Sequence, residues 1–235
     1  MIEGLNNAQL HHVNEISTKI IASKVVKPGD TVFDCGANVG FHTFHLSELV
    51  GPSGRVHAFE PNPELWRHFV ALPNVRLWPY AVGDRLSAET FILPIGQDQV
   101  GSLVDPRDFV GDIPVKKLSV VQVPIDILAE AVETPVSFIK IDVERHEAAA
   151  LLGLQSIIRK HRPVIVFENN TAHTQAILDR LEYAVVNITN FVAPTIPVVN
   201  VIAVPIDRSD SVEDLLPSHV DFTLMTAEFG IEATG

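Results

Sequence analysis

The chain has 235 residues, 46% of them hydrophobic, and its 29 acidic against 17 basic side chains give a net charge of −12. This content suits one α/β domain with a sizeable core and excludes a disordered chain. The acidic balance, with no basic run longer than Lys116-Lys117, argues against a nucleic-acid partner or an anionic membrane surface.

The start of the chain carries Glu3 and His11-His12 rather than a basic and then apolar signal segment. The longest apolar runs are too short to cross a bilayer, and the single cysteine, Cys35, excludes an internal disulfide. The expected location is therefore cytoplasmic, with no membrane partner. In chain order, Leu10, Val13, Ile16, Ile20 and Ile21 recur at helical spacing and predict a helix over 6–26. Lys27-Pro28-Gly29-Asp30 turns into a first strand, Thr31–Asp34. A helix near His42–Leu49 ends at Gly51-Pro52-Ser53-Gly54, and Arg55–Glu60 is the second strand. Glu64–Leu72, started by Pro63, reads as a helix, and Val75–Ala81 as the third strand. Residues 84–126 break the rhythm. Phe91–Leu93, Gly101–Val104 and Ser119–Val123 read as short antiparallel strands and loops, either a substrate lid or an extension of the sheet. Val136–Val143 is a buried strand, Ala148–Arg159 a helix, Pro163–Glu168 a strand and Thr174–Leu181 a helix. Ala184–Ile188 and Val198–Val204 are extended, and Asp207–Gly235 forms an acidic, mixed tail. Strands alternating with helices predict a mostly parallel, doubly wound sheet.

Residues 32–40, Val-Phe-Asp-Cys-Gly-Ala-Asn-Val-Gly, join a strand to a helix through a turn that Gly36 and Gly40 permit, and Glu60 ends the next strand. This is the general layout of a nucleotide site. A dinucleotide fingerprint would begin with glycine where this chain has Asp34, and a carboxylate repels a pyrophosphate. It suits S-adenosylmethionine (SAM), which carries an ammonium and a sulfonium and no phosphate, while Glu60 can accept both ribose hydroxyls. A plain turn in which Asp34 caps the helix is the bland alternative, and the placement of Glu60 weighs against it.

Phe138-Ile139-Lys140-Ile141-Asp142-Val143-Glu144-Arg145-His146-Glu147 is the second constellation. On a strand, Lys140, Asp142 and Glu144 share a face, and Asp142 and Glu144 leave the carboxyl edge where such sheets bind ligands. Glu168, followed by Asn169 and Asn170, ends the next strand at the same edge. Asp34, Glu60, Asp142, Glu144 and Glu168 should then line one rim, a costly gathering unless cations, protons or hydrogen bonds relieve it. The ligand's own charges would do so in part, and a divalent cation could add to them. The scattered His, Cys and Asp have no zinc spacing, and no metal ligands are assigned.

Asp-Cys-Gly-Ala-Asn-Val-Gly, Phe59-Glu60-Pro61-Asn62-Pro63, Ala81-Val82-Gly83-Asp84 and Ile-Lys-Ile-Asp-Val-Glu-x-His-Glu, in this order over roughly residues 30–170, resemble the FkbM-type SAM-dependent methyltransferases. The resemblance implies one Rossmann-like class I methyltransferase domain over 1–235, with a core of 30–204. Its seven-stranded sheet would have helices on both faces and an antiparallel terminal strand. By the same resemblance Asp34, Gly36, Asn38 and Gly40 bracket the methionine part of SAM, Glu60 takes the ribose, Ala81 and Val82 flank the adenine, and Asp142 faces the sulfonium. Family members are usually O-methyltransferases acting on sugar or polyketide hydroxyls, so a small-molecule or glycan acceptor is implied. One departure stands out: Arg145 occupies a position where the family usually has glycine. If that position needs φ > 0, arginine is strained there; alternatively the loop is rearranged, with Arg145 paired to Glu144 or aimed at an acidic substrate.

Methyl transfer to a hydroxyl needs alignment and a place for the proton. His146 is the first candidate base because its ordinary pKa lies near neutrality. Asp142 and Glu144 are the alternatives, as bases or metal ligands. A solvated His146 at a helix start is the plainer reading. A non-catalytic SAM-binding protein and a NAD-linked oxidoreductase are the competing functions, and the oligomeric state is not legible.

Overall fold

A computed structural model describes residues 7–69, 72–96, 101–105, 107, 111–128, 132, 134–168, 170–188, 200–218 and 221. The strands are β1 (Thr31–Cys35), β2 (Arg55–Phe59), β3 (Val75–Trp78), β4 (Ala81–Val82), β5 (Ser87–Pro94), β6 (Val115–Val123), β7 (Val136–Ile141), β8 (Val164–Glu168), β9 (Tyr183–Asn187) and β10 (Asn200–Pro205). The helices are α1 (Asn7–Val25), α2 (Phe41–Val50), α3 (Glu147–Leu152), α4 (Gln155–His161), α5 (Ala172–Arg180) and α6 (Val212–Leu215).

Seven strands form one sheet in the order β3-β2-β1-β7-β8-β10-β9. It is parallel except for β10, which runs against both β8 and β9. This is the sheet that the resemblance implies, with the reversed strand near its end. Strand periodicity divides the core. Phe33 and Ile139 pack with Leu151, Ile158 and Leu178 on one face, whereas Val32 and Phe138 pack with Ile21, Leu46 and Val212 on the other. Helices α3, α4 and α5 thus cover one side and α1, α2 and α6 the other. Each such large side chain contributes roughly 1.5–3 kcal/mol of burial. Covered on both faces, β1 is buried at every residue, including Cys35.

Three expected elements change form. Of the helix expected over Glu64–Leu72, the described residues form a 3-10 turn, Trp66–Phe69, and residues 70 and 71 lie outside them. Its entry is instead an Asn62 turn, in which Asn62 Oδ1 accepts from Glu64 N–H and Trp66 Nε1 donates to the Glu60 carbonyl. The strand expected over Val75–Ala81 leaves the main sheet at Trp78, because Pro79 has no N–H to donate, and Ala81–Val82 joins a second sheet. The helix expected over Ala148–Arg159 breaks at Gly153. A Cβ there would lie 1.9 Å from the Gly83 carbonyl oxygen, so close backbone contact takes the place of a helical turn.

Residues 84–126 extend the structure by a small sheet, ordered β4-β6-β5, in which β5 and β6 form a long antiparallel hairpin. Of the expected Gly101–Val104 strand, a single bridge, Ser102 to Ile92, is formed. The first part of the tail makes a 3-10 turn and α6, whose Val212 and Leu216 cap the α1 face. Lys24 Nζ donates to the Leu216 carbonyl at 2.7 Å. Residues 222–235, and Asn169, lie outside the described residues.

Candidate active site

The carboxyl ends of β1 and β7 are neighbours in parallel register, and the Asp142 N–H donates to the Cys35 carbonyl at 3.0 Å. After β1 the chain turns through Gly36 (φ 80), Asn38 (φ 53) and Gly40 (φ 91). At Gly36 a Cβ would sit 1.8 Å from the Asp142 carbonyl oxygen, so no side chain fits. Four amides of the turn are already engaged. Gly36 and Ala37 donate to the Phe59 carbonyl, Gly40 donates to Ala37, and Asn38 donates to Glu60 Oε2 at 2.8 Å. Glu60 Oε1 accepts from Asn62 N–H at 2.7 Å, so this buried carboxylate ties the loops after β1 and β2 together. Burial pushes Glu60 up to about 7; its two amide bonds pull down and the nearby Asp34 charge pushes up.

From the sequence, Asp34 is expected to face a bound ammonium. It lies instead in the floor beneath the turn, fully buried, accepting from Thr43 Oγ1 at 2.6 Å with Lys140 Nζ at 3.8 Å. The cause is register. Asp34 pairs laterally with Lys140 on β7, and that buried lysine reaches Asp142 Oδ2 at 3.1 Å. Burial opposes the lysine charge, yet Asp142, Asp34 and Glu15 together hold its pKa above the ordinary lysine range.

Two cavities meet over this floor. The first is lined by Glu60, Ala81, Val82 and Tyr80, with His146 on its wall. The second is lined by His11, His12, Glu15, Phe41, Lys140 and Glu168. Gly36, Asn38, Asp142 and Glu144 border both. Of the expected cofactor residues, the first cavity gathers Gly36, Asn38, Glu60, Ala81, Val82 and Asp142. Gly40 lines neither; its positive φ starts α2.

The loop after β7 is strained. Glu144 (φ 50) and Arg145 (φ 71) are both left-handed, so the arginine does stand where glycine would be free. Two bonds hold the turn: Ser102 Oγ donates to the Glu144 carbonyl at 2.6 Å, and Arg145 N–H donates to Glu147 Oε1 at 3.0 Å. Burial, then neighbouring carboxylates, raise Glu144 to about 7 and Glu168 to about 9; burial raises Glu147 to about 7. Lys140 thus offsets part of the charge of the crowded rim, and the raised pKa values favour protons on Glu144, Glu147 and Glu168. Among the described residues no group of three or more His, Cys, Asp or Glu is arranged to hold a metal ion. His146 Nε2 lies 2.8 Å from Gln122 Oε1, and burial lowers the imidazole's pKa.

Sequence reasoning missed the part α1 plays. Glu15 meets His42 at 3.0 Å, and although burial pushes the carboxyl up, the imidazole pulls it down to about 2. Apolar periodicity marks α1 as a helix but does not say that its polar side walls a cavity. Gln122 and Ser102 were equally silent, being polar residues in an irregular stretch.

The family model described as the Methyltransferase FkbM domain matches residues 34–187. The 31-O-demethyl-FK506 methyltransferase FkbM of Streptomyces tacrolimicus is 25% identical over 193 residues, covering 64% of this chain and 74% of that one. Among solved structures, a methyltransferase FkbM from Methylobacillus flagellatus KT superposes with a TM-score of 0.48 at 16% identity, over 77% of this chain and 48% of that one. Aeropyrum pernix fibrillarin with natively bound SAM gives 0.46 at 16%, over 81% of this chain and 76% of the other.

Proposed function

Because the chain belongs to the FkbM methyltransferase family, we propose that it is a SAM-dependent O-methyltransferase whose acceptor is a hydroxyl of a small molecule or glycan. The observation that carries this reading is the donor set of the turn after β1. With the Gly36, Ala37, Asn38 and Gly40 amides engaged inside the protein, little is left to cradle a phosphate. Among the charged side chains of the surrounding walls, Glu15, Glu60, Asp142, Glu144 and Glu168 stand against Lys140. Such a site suits a cationic, phosphate-free adenosyl ligand and disfavours NAD.

Glu60 would accept the ribose hydroxyls with the lone pairs that its amide donors leave free. Ala81 and Val82 would flank the adenine, and Gly36, Asn38 and Asp142 the methionine portion. When bound, SAM supplies a methyl group already activated by its sulfonium. The protein's tasks are then to orient the acceptor and to receive its proton. The second cavity, with its imidazoles, carboxylates and the half-exposed Phe41 ring, suits a neutral hydroxylated acceptor with an apolar face. Its carboxylates and the net charge of −12 oppose a polyanion such as RNA. His146, beside Glu144 on the cavity wall, takes the hydroxyl proton as the carbon–oxygen bond forms.

Calorimetric titration with SAM, S-adenosylhomocysteine and NAD tests the cofactor. The adenosyl ligands should bind at micromolar concentrations and NAD should not. NAD binding in their place would overturn the reading. Radiolabelled SAM offered with methyl glycosides, hydroxylated macrolides and an RNA oligonucleotide tests the acceptor. Label is expected on the small hydroxyls, and label on RNA alone would overturn the acceptor class. H146Q should slow transfer at least tenfold with SAM affinity kept.

A further inference from the structure

The small sheet carries a buried polar side chain, Gln122 on β6, 1% exposed and engaged at both ends. Its Nε2 lies 3.4 Å from Asp84 Oδ1 and 3.3 Å from the Arg85 carbonyl. Its Oε1 lies 2.8 Å from His146 Nε2. Amide orientation and histidine tautomer are fixed by what the partners can give and take. A carboxylate and a carbonyl are both acceptors, so the end of Gln122 facing them must be the donating NH₂. Turned over, the amide would set its oxygen against two oxygens. The oxygen of Gln122 therefore faces His146, and an amide oxygen only accepts, so His146 Nε2 must be the donor. A neutral imidazole has one N–H, which leaves Nδ1 bare.

Packing denies Gln122 another position. The amide lies against the backbone of Gly83, where a Cβ would come within 2.1 Å of Gln122 Cδ. Gly83 is itself pinned by its N–H bond to the Val123 carbonyl at 3.0 Å. We propose that Gln122 is a positioning residue that holds neutral His146 in its Nε2–H tautomer, so that Nδ1 is the atom that receives the acceptor's proton. The catalytic half of this inference rests on the reading of His146 as the base; the tautomer half does not.

Nitrogen-15 NMR of the imidazole rings of the full chain, at a pH of about 8 where an ordinary histidine is neutral, tests it directly. The His146 signals are assigned by their loss in H146Q. The wild-type ring should show a protonated Nε2 and a bare Nδ1. In Q122M, which keeps the bulk and removes the acceptor, the two tautomers should mix. Methyl transfer should fall several-fold while S-adenosylhomocysteine affinity stays within about twofold. A wild-type ring protonated at Nδ1, or an unchanged tautomer in a folded Q122M, would overturn the proposal. The wild-type spectrum decides even if Q122M fails to fold. Should the tautomers behave as expected while H146Q transfers methyl at the wild-type rate, the base assignment falls and the tautomer assignment stands.

Discussion

Two turns sit side by side at the reactive edge of the sheet, and they solve one geometric problem differently. The turn after β1 reaches positive φ mainly through glycines, Gly36 and Gly40, and most of its amides donate to the end of the adjacent strand, at Phe59 and Glu60. The turn after β7 reaches positive φ with Glu144 and Arg145 and is held from outside, by Ser102 of the 84–126 segment and by Glu147 of α3. The first is thus held within the main sheet, by the strand next to it. The second depends on a neighbouring sheet, which links the residues that would handle the acceptor's proton to the part of the chain that departs from the basic strand–helix repeat.

The comparison breaks most severely at Gly36. G36A places a Cβ on the Asp142 carbonyl at a φ of 80, and SAM affinity should fall more than about 100-fold, roughly 2.7 kcal/mol, by calorimetry. A wild-type-like affinity would mean that the two turns are not in rigid contact. Next in size is pH. Glu144 and Glu147 at about 7 and Glu168 at about 9 are raised above their unfolded values. The stability tied to their protons is complete below about pH 4.5, and it is lost as pH rises through 7 and then 9. The melting temperature should drop between mildly acidic pH and pH 9, and E168Q should flatten the upper part of that drop. A flat profile in the wild type would show the rim to be ionised already. E60A should weaken SAM binding tenfold or more, about 1.4 kcal/mol, as read by titration.

The smaller effects sharpen the contrast. S102A removes an outside support of the second turn; it should cost about 1 kcal/mol in urea unfolding and lower methyl transfer while leaving SAM affinity near wild type. Equal losses in both would place Ser102 in the first turn's territory. R145G relieves one left-handed non-glycine residue but adds unfolded-state entropy, for a net gain of about 0.5 kcal/mol. A loss instead would show that the arginine side chain contributes more than its backbone costs.

This difference also governs what the sequence discloses. The strand–turn–helix unit around Gly36 and the placement of Glu60 directly after β2 are legible because few residues, close in the chain, specify them through glycine conformation and strand period. The seven strands and most of their ends follow from apolar runs in the same way. What is not legible depends on residues far apart in the chain. The burial of Asp34 under the turn needs Lys140, 106 positions on by number and adjacent only through the β1–β7 register. The break at Gly153 needs the Gly83 carbonyl, and the wall of the second cavity needs Glu15 to find His42. Gln122 carries no pattern at all until β6 sets it against His146.

Cys35 gives the molecule a built-in clock. The sole thiol lies in the interior strand β1, one residue ahead of the turn at Gly36, and burial holds its pKa far above the ordinary range. A thiol reagent in solution therefore reacts only while β1 is open. The labelling rate counts those openings, and a slower rate with S-adenosylmethionine present would report occupancy of the proposed site without any knowledge of the acceptor.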